Sequence, residues 1–290
     1  MHSTLITAES LHESLQQSSG DRPLIFDCSF DLANVDAGLT QYREAHIPGA
    51  VYAHLDRDLS DKAHPLGARA GRHPLPQREV FADWLARSGL SQNQQVVVYD
   101  RQGAHYCGRL WWMLKWCGHE AVAVLDGGMG AWRAAGYPTV SGASPQPVRP
   151  VERPFTLGAS LAPTADGTHM ACQLGSPTQT VIDAGAAPRF CGEVEPLDPV
   201  AGHIPGALNR PFADNFLPDG RFKPAAQLRQ EFEHLLAGRD PAHVVHHCGS
   251  GVTATPNILA MELAGLGRSA LYPGSWSAWS NTPGLPVARG

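Results

Sequence analysis

A cysteine followed by a glycine-rich loop is the most reactive feature of this sequence. Cys248 follows the apolar pair Val244 and Val245 and two histidines, and Gly249, Ser250 and Gly251 come directly after it. The pattern predicts a strand, a tight loop and a helix, with the cysteine at the carboxyl end of the strand, where open α/β sheets place their chemistry. Because a loop of this kind turns backbone N–H groups inward, it favours the thiolate over the thiol. The sequence therefore predicts a nucleophilic cysteine.

Other uses of Cys248 fit the sequence less well. A cysteine-dependent phosphatase needs an arginine near the end of the loop to bind phosphate, and Ala254 stands there. A zinc site would draw on Cys248 and on the histidines before it, which are His243, His246 and His247. Successive residues of a strand face opposite sides, however, and no second ligand pair with zinc-type spacing follows. A buried structural cysteine remains the alternative.

The composition is that of a globular protein with a full core. The chain has 290 residues, which suggests two domains, with 43% hydrophobic and 17% charged residues. The net charge of -5 and the lack of a basic cluster argue against nucleic-acid binding. No apolar run approaches membrane-spanning length, and the polar start of the chain predicts a cytoplasmic protein. Six scattered cysteines without a CxxC pair indicate free thiols, and neither a cofactor nor a metal is expected.

The two halves of the chain repeat one order of elements. The segment 202–207, reading Gly-His-Ile-Pro-Gly-Ala, matches 45–50, and the strand leading to Cys248 matches Val96–Asp100. Short strands alternate with helical segments, which predicts an α/β fold with a mostly parallel sheet in each half. The Pro-, Gly- and Ser-rich stretch between the halves predicts a linker. We therefore expect domains at 1–140 and 164–290, joined by a linker at 141–163.

The two halves differ at the position that matters for chemistry. Asp100 stands in the first half where Cys248 stands in the second, so the loop of the first half has no nucleophilic sulfur. The sequence predicts a catalytic second domain and a catalytically silent first domain.

These motifs together resemble the two-domain rhodanese-type sulfurtransferases over nearly the whole chain. The resemblance rests on two His-Ile-Pro-Gly-Ala segments, a Gly-Ser-Trp box at 274–276 and the loop Cys248–Thr253. It implies two tandem rhodanese-like domains, each a mostly parallel sheet flanked by helices. The loop is most similar to that of the 3-mercaptopyruvate sulfurtransferases, whereas thiosulfate-specific relatives tend to carry basic residues in place of Gly249 and Ser250.

The resemblance also implies a two-step sulfur relay. The Cys248 thiolate takes sulfur from a small anionic donor and becomes a persulfide, and pyruvate leaves, or sulfite if the donor is thiosulfate. A thiol such as thioredoxin or a low-molecular-weight thiol, or cyanide, then accepts the outer sulfur. A non-catalytic persulfide carrier is an alternative of another class.

The family's functional residues map onto named positions of this chain. Proton transfer to the leaving group is credited to a Ser-His-Asp arrangement, which here falls on Ser250, His73 and Asp61, with His64, Asp56 and Asp58 as competing residues. Donor binding falls on the loop and on an arginine; these residues are Arg189, Gly249, Gly251, Val252 and Thr253.

Two departures from the family pattern concern the donor. Gly185 and Leu197 stand where many members carry arginines. With fewer cations, a singly charged carboxylate donor is a better match than doubly charged thiosulfate.

His46 and His203 are expected to fix the chain locally by hydrogen bonding, as are Asp27 and Asp183. Trp276 is expected either to line the pocket or to belong to the core.

Overall fold

A computed structural model describes residues 1–17, 22–143 and 153–290, which form two compact units. The first unit contains residues 1–60, 76–161 and 216–222, and the second contains 61–75, 162–215 and 223–290. Two short segments, 61–75 and 216–222, therefore belong to a different unit from the residues on either side of them in sequence. Part of the expected linker, residues 144–152, lies outside the described residues.

The first unit is a five-stranded, fully parallel sheet with the strand order β1-β5-β4-β2-β3. Its strands are β1 (Leu5–Ile6), β2 (Leu24–Asp27), β3 (Val51–Tyr52), β4 (Val96–Tyr99) and β5 (Val122–Leu125). Its helices are α1 (Ala8–Gln16), α2 (Ala37–Glu44), α3 (Arg78–Arg87), α4 (Cys107–Trp116) and α5 (Gly128–Ala134). The central strand β4 is buried along its whole length, as an apolar strand of a covered parallel sheet should be.

The second unit repeats this sheet with four parallel strands in the order β7-β6-β8-β9. The strands are β6 (Thr180–Asp183), β7 (Leu208–Asn209), β8 (Val244–His247) and β9 (Ala270–Leu271). The helices are α6 (Gly167–Cys172), α7 (Ala187–Phe190), α8 (Ala225–Leu236), α9 (Thr255–Leu263) and α10 (Ser275–Ser280). Short 3₁₀ helices cover Gly67–Ala70, Phe212–Asn215 and Pro241–His243. A core around Trp276 and Trp279 packs against the sheet.

The expected α/β architecture is confirmed in both units. Strand β4 lies within the expected segment Val96–Asp100, and helix α9 begins at Thr255 with Pro256 in its first turn, where proline costs no hydrogen bond. Helix α8 was not predicted, although its buried residues Leu228, Phe232 and Leu236 follow a four-residue spacing. In the described part of the chain, the helices are too short or too polar to cross a bilayer.

Candidate active site

Cys248 follows strand β8, and the start of helix α10 holds both its backbone N–H and its carbonyl. The Cys248 carbonyl accepts the N–H of Trp276 at 2.9 Å. The Cys248 N–H donates to Ser275 Oγ at 3.2 Å, and that hydroxyl donates in turn to the carbonyl of Tyr272 at 2.9 Å. Ser275 has a left-handed φ of 53°, an uncommon conformation for a residue with a side chain. The Gly-Ser-Trp box therefore positions the cysteine, and Ser275 is a contact that the sequence analysis missed.

The loop after Cys248 brings a backbone N–H to the sulfur. The N–H of Ser250 points to Cys248 Sγ at 3.5 Å. Gly251 has a φ of 73°, and a Cβ at this position would lie 2.4 Å from the carbonyl oxygen of Pro273. Glycine is therefore required here by both conformation and space. Val252 is buried, its carbonyl accepts the hydroxyl of Thr255 at 2.7 Å, and Thr253 beside it is half-buried.

The matching loop of the first unit shows how such a loop binds an anion. The buried Asp100 carboxylate accepts four backbone N–H groups at 2.9–3.0 Å; their donors are Gln102, Ala104, Tyr106 and Cys107. The same loop position that carries sulfur in the second unit is thus filled by a carboxylate in the first. Counted from Cys248, the corresponding amides of the second unit are those of Ser250, Val252, Ala254 and Thr255.

Ser250 and His73 form a direct hydrogen bond. His73 Nδ1 lies 2.8 Å from Ser250 Oγ, and the two residues are only 2% and 7% exposed. The segment 61–75 belongs to the second unit, so this bond lies within a single compact body. The structure therefore brings together the serine and the histidine that the sequence analysis selected.

A backbone hydrogen bond holds Asp61 next to Pro74, the residue that follows His73. Its N–H donates to the carbonyl of Pro74 at 2.9 Å, while its carboxylate accepts the N–H of Ala63 at 3.1 Å. Of the competing residues, His64 Nδ1 accepts the N–H of Leu66 at 3.3 Å, and Asp58 accepts the N–H of His54 at 2.7 Å in the first unit.

Arg189 lies next to the loop and is held by two carboxylates. It donates to both oxygens of Glu195 at 2.8 Å and to Asp198 at 3.3 Å. Burial alone would lower the pKa of Arg189, but its pairs with Glu195 and Asp198 outweigh burial and raise that pKa. Burial raises the pKa of Glu195, yet the hydrogen bond from Arg189 reverses the effect and lowers it. Arg189 is therefore a fixed cation at the pocket.

A second arginine, which the sequence analysis missed, approaches the same loop. Arg72 Nη1 pairs with Asp198 at 2.9 Å, and its backbone N–H donates to Ser277 Oγ at 2.9 Å. A Cβ built on Gly249 would lie 3.2 Å from Arg72 Nη2 and 3.1 Å from Arg189 Nη1. Gly249 therefore leaves room for both guanidinium groups, and Arg72 reaches the loop from a segment distant in sequence.

The sulfur borders a narrow pocket. Cys248 is 2% exposed and lines this pocket together with Arg189, Glu195 and Trp276. The pocket volume is about 10 Å³, which is space for roughly one water molecule. Trp276 also belongs to the core of its unit and donates to the carbonyl of Val200 at 2.9 Å, so both of its expected positions hold.

Three of the other five cysteines are buried thiols that provide no comparable site. Burial, together with the charges of Asp27 and Asp100, raises the pKa of Cys28, and burial and Asp100 raise that of Cys107. Burial also raises the pKa of Cys117 to about 11. These thiols stay protonated and inert at neutral pH. Among the described residues, no cluster of His, Cys, Asp or Glu could hold a metal ion.

The two His-Ile-Pro-Gly segments have the local role expected from the sequence. His46 Nδ1 bonds the carbonyl of Tyr42, and His203 Nδ1 bonds that of Phe190, each at 2.8 Å and each with the two rings stacked. Two aspartates cap the turns that follow their strands: Asp27 accepts the N–H of Ser29, and Asp183 accepts the N–H of Gly185.

A family model of the rhodanese-like domain matches the chain twice, over residues 7–135 and 170–282. The chain therefore belongs to the rhodanese family and carries two copies of its domain.

Two relatives that match over nearly their full length and one longer solved structure agree with this assignment. The chain is 46% identical over 287 residues to a probable 3-mercaptopyruvate sulfurtransferase of Pseudomonas aeruginosa, covering 99% of this chain and 98% of that protein. It is 39% identical over 293 residues to a putative thiosulfate sulfurtransferase of Mycobacterium tuberculosis, covering 99% and 97%. The structure of 3-mercaptopyruvate sulfurtransferase from Leishmania major matches with a TM-score of 0.81 at 30% identity, covering 97% of this chain and 76% of that one.

Proposed function

We propose that this protein transfers sulfur from 3-mercaptopyruvate to a thiol or to cyanide through a persulfide on Cys248, releasing pyruvate. The sulfurtransferase class follows from membership of the family and from relatives that match over the full chain. The choice of donor is supported above all by the hydrogen bond between Ser250 and His73 next to Cys248.

The first step needs a nucleophile and a proton transfer. The Cys248 thiolate attacks the donor sulfur, a sulfur–sulfur bond forms, and the carbon–sulfur bond breaks with its electron pair on the carbon of the pyruvate enolate. The proton of the donor thiol must end on that carbon. The hydroxyl of Ser250, bonded to His73, can carry this proton, and the loop N–H groups stabilise the persulfide anion that remains.

We assign His73 the role of a proton shuttle and Asp61 that of an orienting carboxylate. The 2.8 Å bond to Ser250 supports the first role. The second rests on the backbone bond that holds Asp61 against Pro74, the neighbour of His73.

Donor binding is assigned to Arg189 and to the loop. A guanidinium can bind a carboxylate through two parallel hydrogen bonds, and Arg189 lines the pocket. Gly249 and Gly251 allow the loop to curl, while Val252 and Thr253 complete it.

The second step returns the enzyme to its starting state. An acceptor thiolate or cyanide attacks the outer sulfur, takes it, and leaves the Cys248 thiolate, so donor and acceptor bind in turn and ping-pong kinetics follow. Thioredoxin or a low-molecular-weight thiol fits the acceptor role. Reduced thiols are plentiful in the cytoplasm, which is the location we propose.

Thiosulfate is the second candidate donor, because two guanidinium groups lie near Gly249 and one relative is named for thiosulfate. Glu195 and Asp198 offset these two positive charges, which makes the site a poorer match for a dianion than for a monocarboxylate.

Steady-state kinetics with both donors and one thiol acceptor test the proposal. We expect a higher kcat/KM for 3-mercaptopyruvate, and a Ser250→Ala variant should lose activity with this donor while keeping activity with thiosulfate, because sulfite leaves without needing a proton. A clearly higher kcat/KM for thiosulfate would instead identify thiosulfate as the preferred donor. Turnover no faster than that of a free thiol would indicate a persulfide carrier instead.

A further inference from the structure

Arg72 and Arg189 approach the loop from two different segments and meet at Gly249. Arg72 Nη2 and Arg189 Nη1 lie 3.2 Å and 3.1 Å, respectively, from a Cβ built on Gly249, which directly follows Cys248. Asp198 bridges the two guanidinium groups through its two carboxylate oxygens, at 2.9 Å and 3.3 Å. The two arginines therefore share one counter-ion, and both lie close to the residue that follows the reactive cysteine.

The side chain of Arg72 has bonding capacity left over in this arrangement. Its Nη1 bonds Asp198, whereas its Nε is buried without a hydrogen-bond partner. A buried guanidinium N–H without a partner carries a desolvation cost that an oxygen ligand would remove. Glu195, in contrast, bonds only Arg189 among these two arginines, so Arg72 is the more readily available cation.

Asp198 is a replaceable partner for these arginines. Burial raises the pKa of its carboxyl, although Arg72 and Arg189 oppose that effect. An incoming carboxylate offers the same two-oxygen geometry as Asp198 and brings the reacting sulfur with it. The exchange of one carboxylate for another leaves the number of charge-assisted hydrogen bonds made by the two arginines unchanged.

We propose that Arg72 is the second donor-binding cation of this site, which with Arg189 binds the carboxylate of a monoanionic donor in exchange for Asp198. This inference rests on the proposed function and extends it to a residue in the segment 61–75. Arg72 then supplies the positive charge that is missing at Leu197.

Alkylation of Cys248 tests the proposal without using sulfur transfer. The probes are 3-bromopyruvate and bromoacetone, which present the same reactive carbon to the sulfur but differ in the carboxylate. Rates are read at the Cys248 peptide by mass spectrometry, because the chain has six cysteines. The variants are Arg72→Gln, Arg72→Lys, Arg189→Gln as a positive control, and Arg69→Gln as a matched control on the exposed face of the same segment.

The wild-type protein should react faster with the anionic probe, after correction for the intrinsic reactivity of each reagent. Arg72→Gln should lower this preference about tenfold, as loss of charge-assisted hydrogen bonds does. Arg72→Lys keeps the positive charge but loses the paired N–H donors of the guanidinium, so its preference for the anionic probe should lie between those of wild type and Arg72→Gln. Arg69→Gln should show the wild-type preference.

Two results would overturn the assignment. One is a wild-type protein without preference for the anionic probe. The other is a loss of preference in Arg189→Gln with no change in either Arg72 variant, which would leave Arg72 as a counter-ion of Asp198 only. A protein that shows the Arg72-dependent preference yet fails to turn over 3-mercaptopyruvate would instead disprove the proposed function alone.

Discussion

Ser250 Oγ and His73 Nδ1 lie 2.8 Å apart, although 177 residues of sequence separate them. The bond places an imidazole next to the hydroxyl that follows the reactive cysteine by two positions. A hydroxyl alone is a poor proton carrier near neutral pH, whereas a hydroxyl bonded to an imidazole can pass a proton on. In the proposed function, this pair carries the proton that the leaving group of the donor must receive.

The pair should behave as one unit in kinetics. Replacing His73 with Gln should lower kcat for 3-mercaptopyruvate about 100-fold, the usual size of a general acid–base contribution. Combining this change with Ser250→Ala should cost little more than either change alone, because both break the same relay.

His64→Gln is the matched control for the relay, since His64 lies in the same segment and bonds only its own turn in the contacts described above. It should keep wild-type kcat. Independent, multiplicative losses in the double variant would show that Ser250 and His73 act separately.

Asp100 should stabilise the first unit without taking part in the reaction. Replacing it with Asn removes the charge that four N–H groups bind and should cost about 2–3 kcal/mol. Urea denaturation of the full chain should show an earlier transition, while the folded variant should form the Cys248 persulfide in normal yield. An unchanged urea midpoint would refute the structural role of Asp100. Failure of the folded variant to form the Cys248 persulfide would refute the prediction that the first unit takes no part in the reaction.

The stability of the second unit should fall in moderately acidic solution because of Glu231. Burial raises the pKa of this carboxyl, but hydrogen bonds from Arg210, Lys223 and Gln227 outweigh burial and lower the pKa to about 2 from an ordinary value of 4.5. Since the folded-state pKa is the lower one, the stabilisation is present above pH 4.5 and is lost as the pH falls from there towards 2.

Urea midpoints measured from about pH 5 to about pH 3 give this dependence directly. A Glu231→Gln variant should show a flatter decline than wild type. Glu233→Gln is the control on the same helix, because Glu233 is 54% exposed and pairs with Arg229 on the surface. Equal slopes in all three proteins would refute the contribution of Glu231.

The local parts of this architecture could be predicted from the sequence because they depend on local patterns. The four-residue strand β4 is a run of apolar residues between polar ones, and Cys248 follows a matching strand. Helix α8 carries an equally clear apolar spacing at Leu228, Phe232 and Leu236, so its position is also encoded locally.

The position of Arg72 depends instead on contacts between segments far apart in the chain. A Cβ on Gly71 would lie 2.7 Å from the carbonyl of Gly274, and the Arg72 N–H bonds Ser277, so helix α10 fixes where this arginine points. No periodicity within the segment 61–75 encodes that packing. Similarly, the left-handed Ser275 is set by its bonds to Cys248 and Tyr272 rather than by its own preference.

Mass spectrometry of the full-length protein after reaction with 3-mercaptopyruvate, in the absence of an acceptor, tests the central claim most directly. The account predicts one added sulfur atom, located on Cys248, in a yield equal to the pyruvate released, and neither product with Cys248→Ala. Pyruvate release by Cys248→Ala, or the added sulfur on a different cysteine, would contradict it.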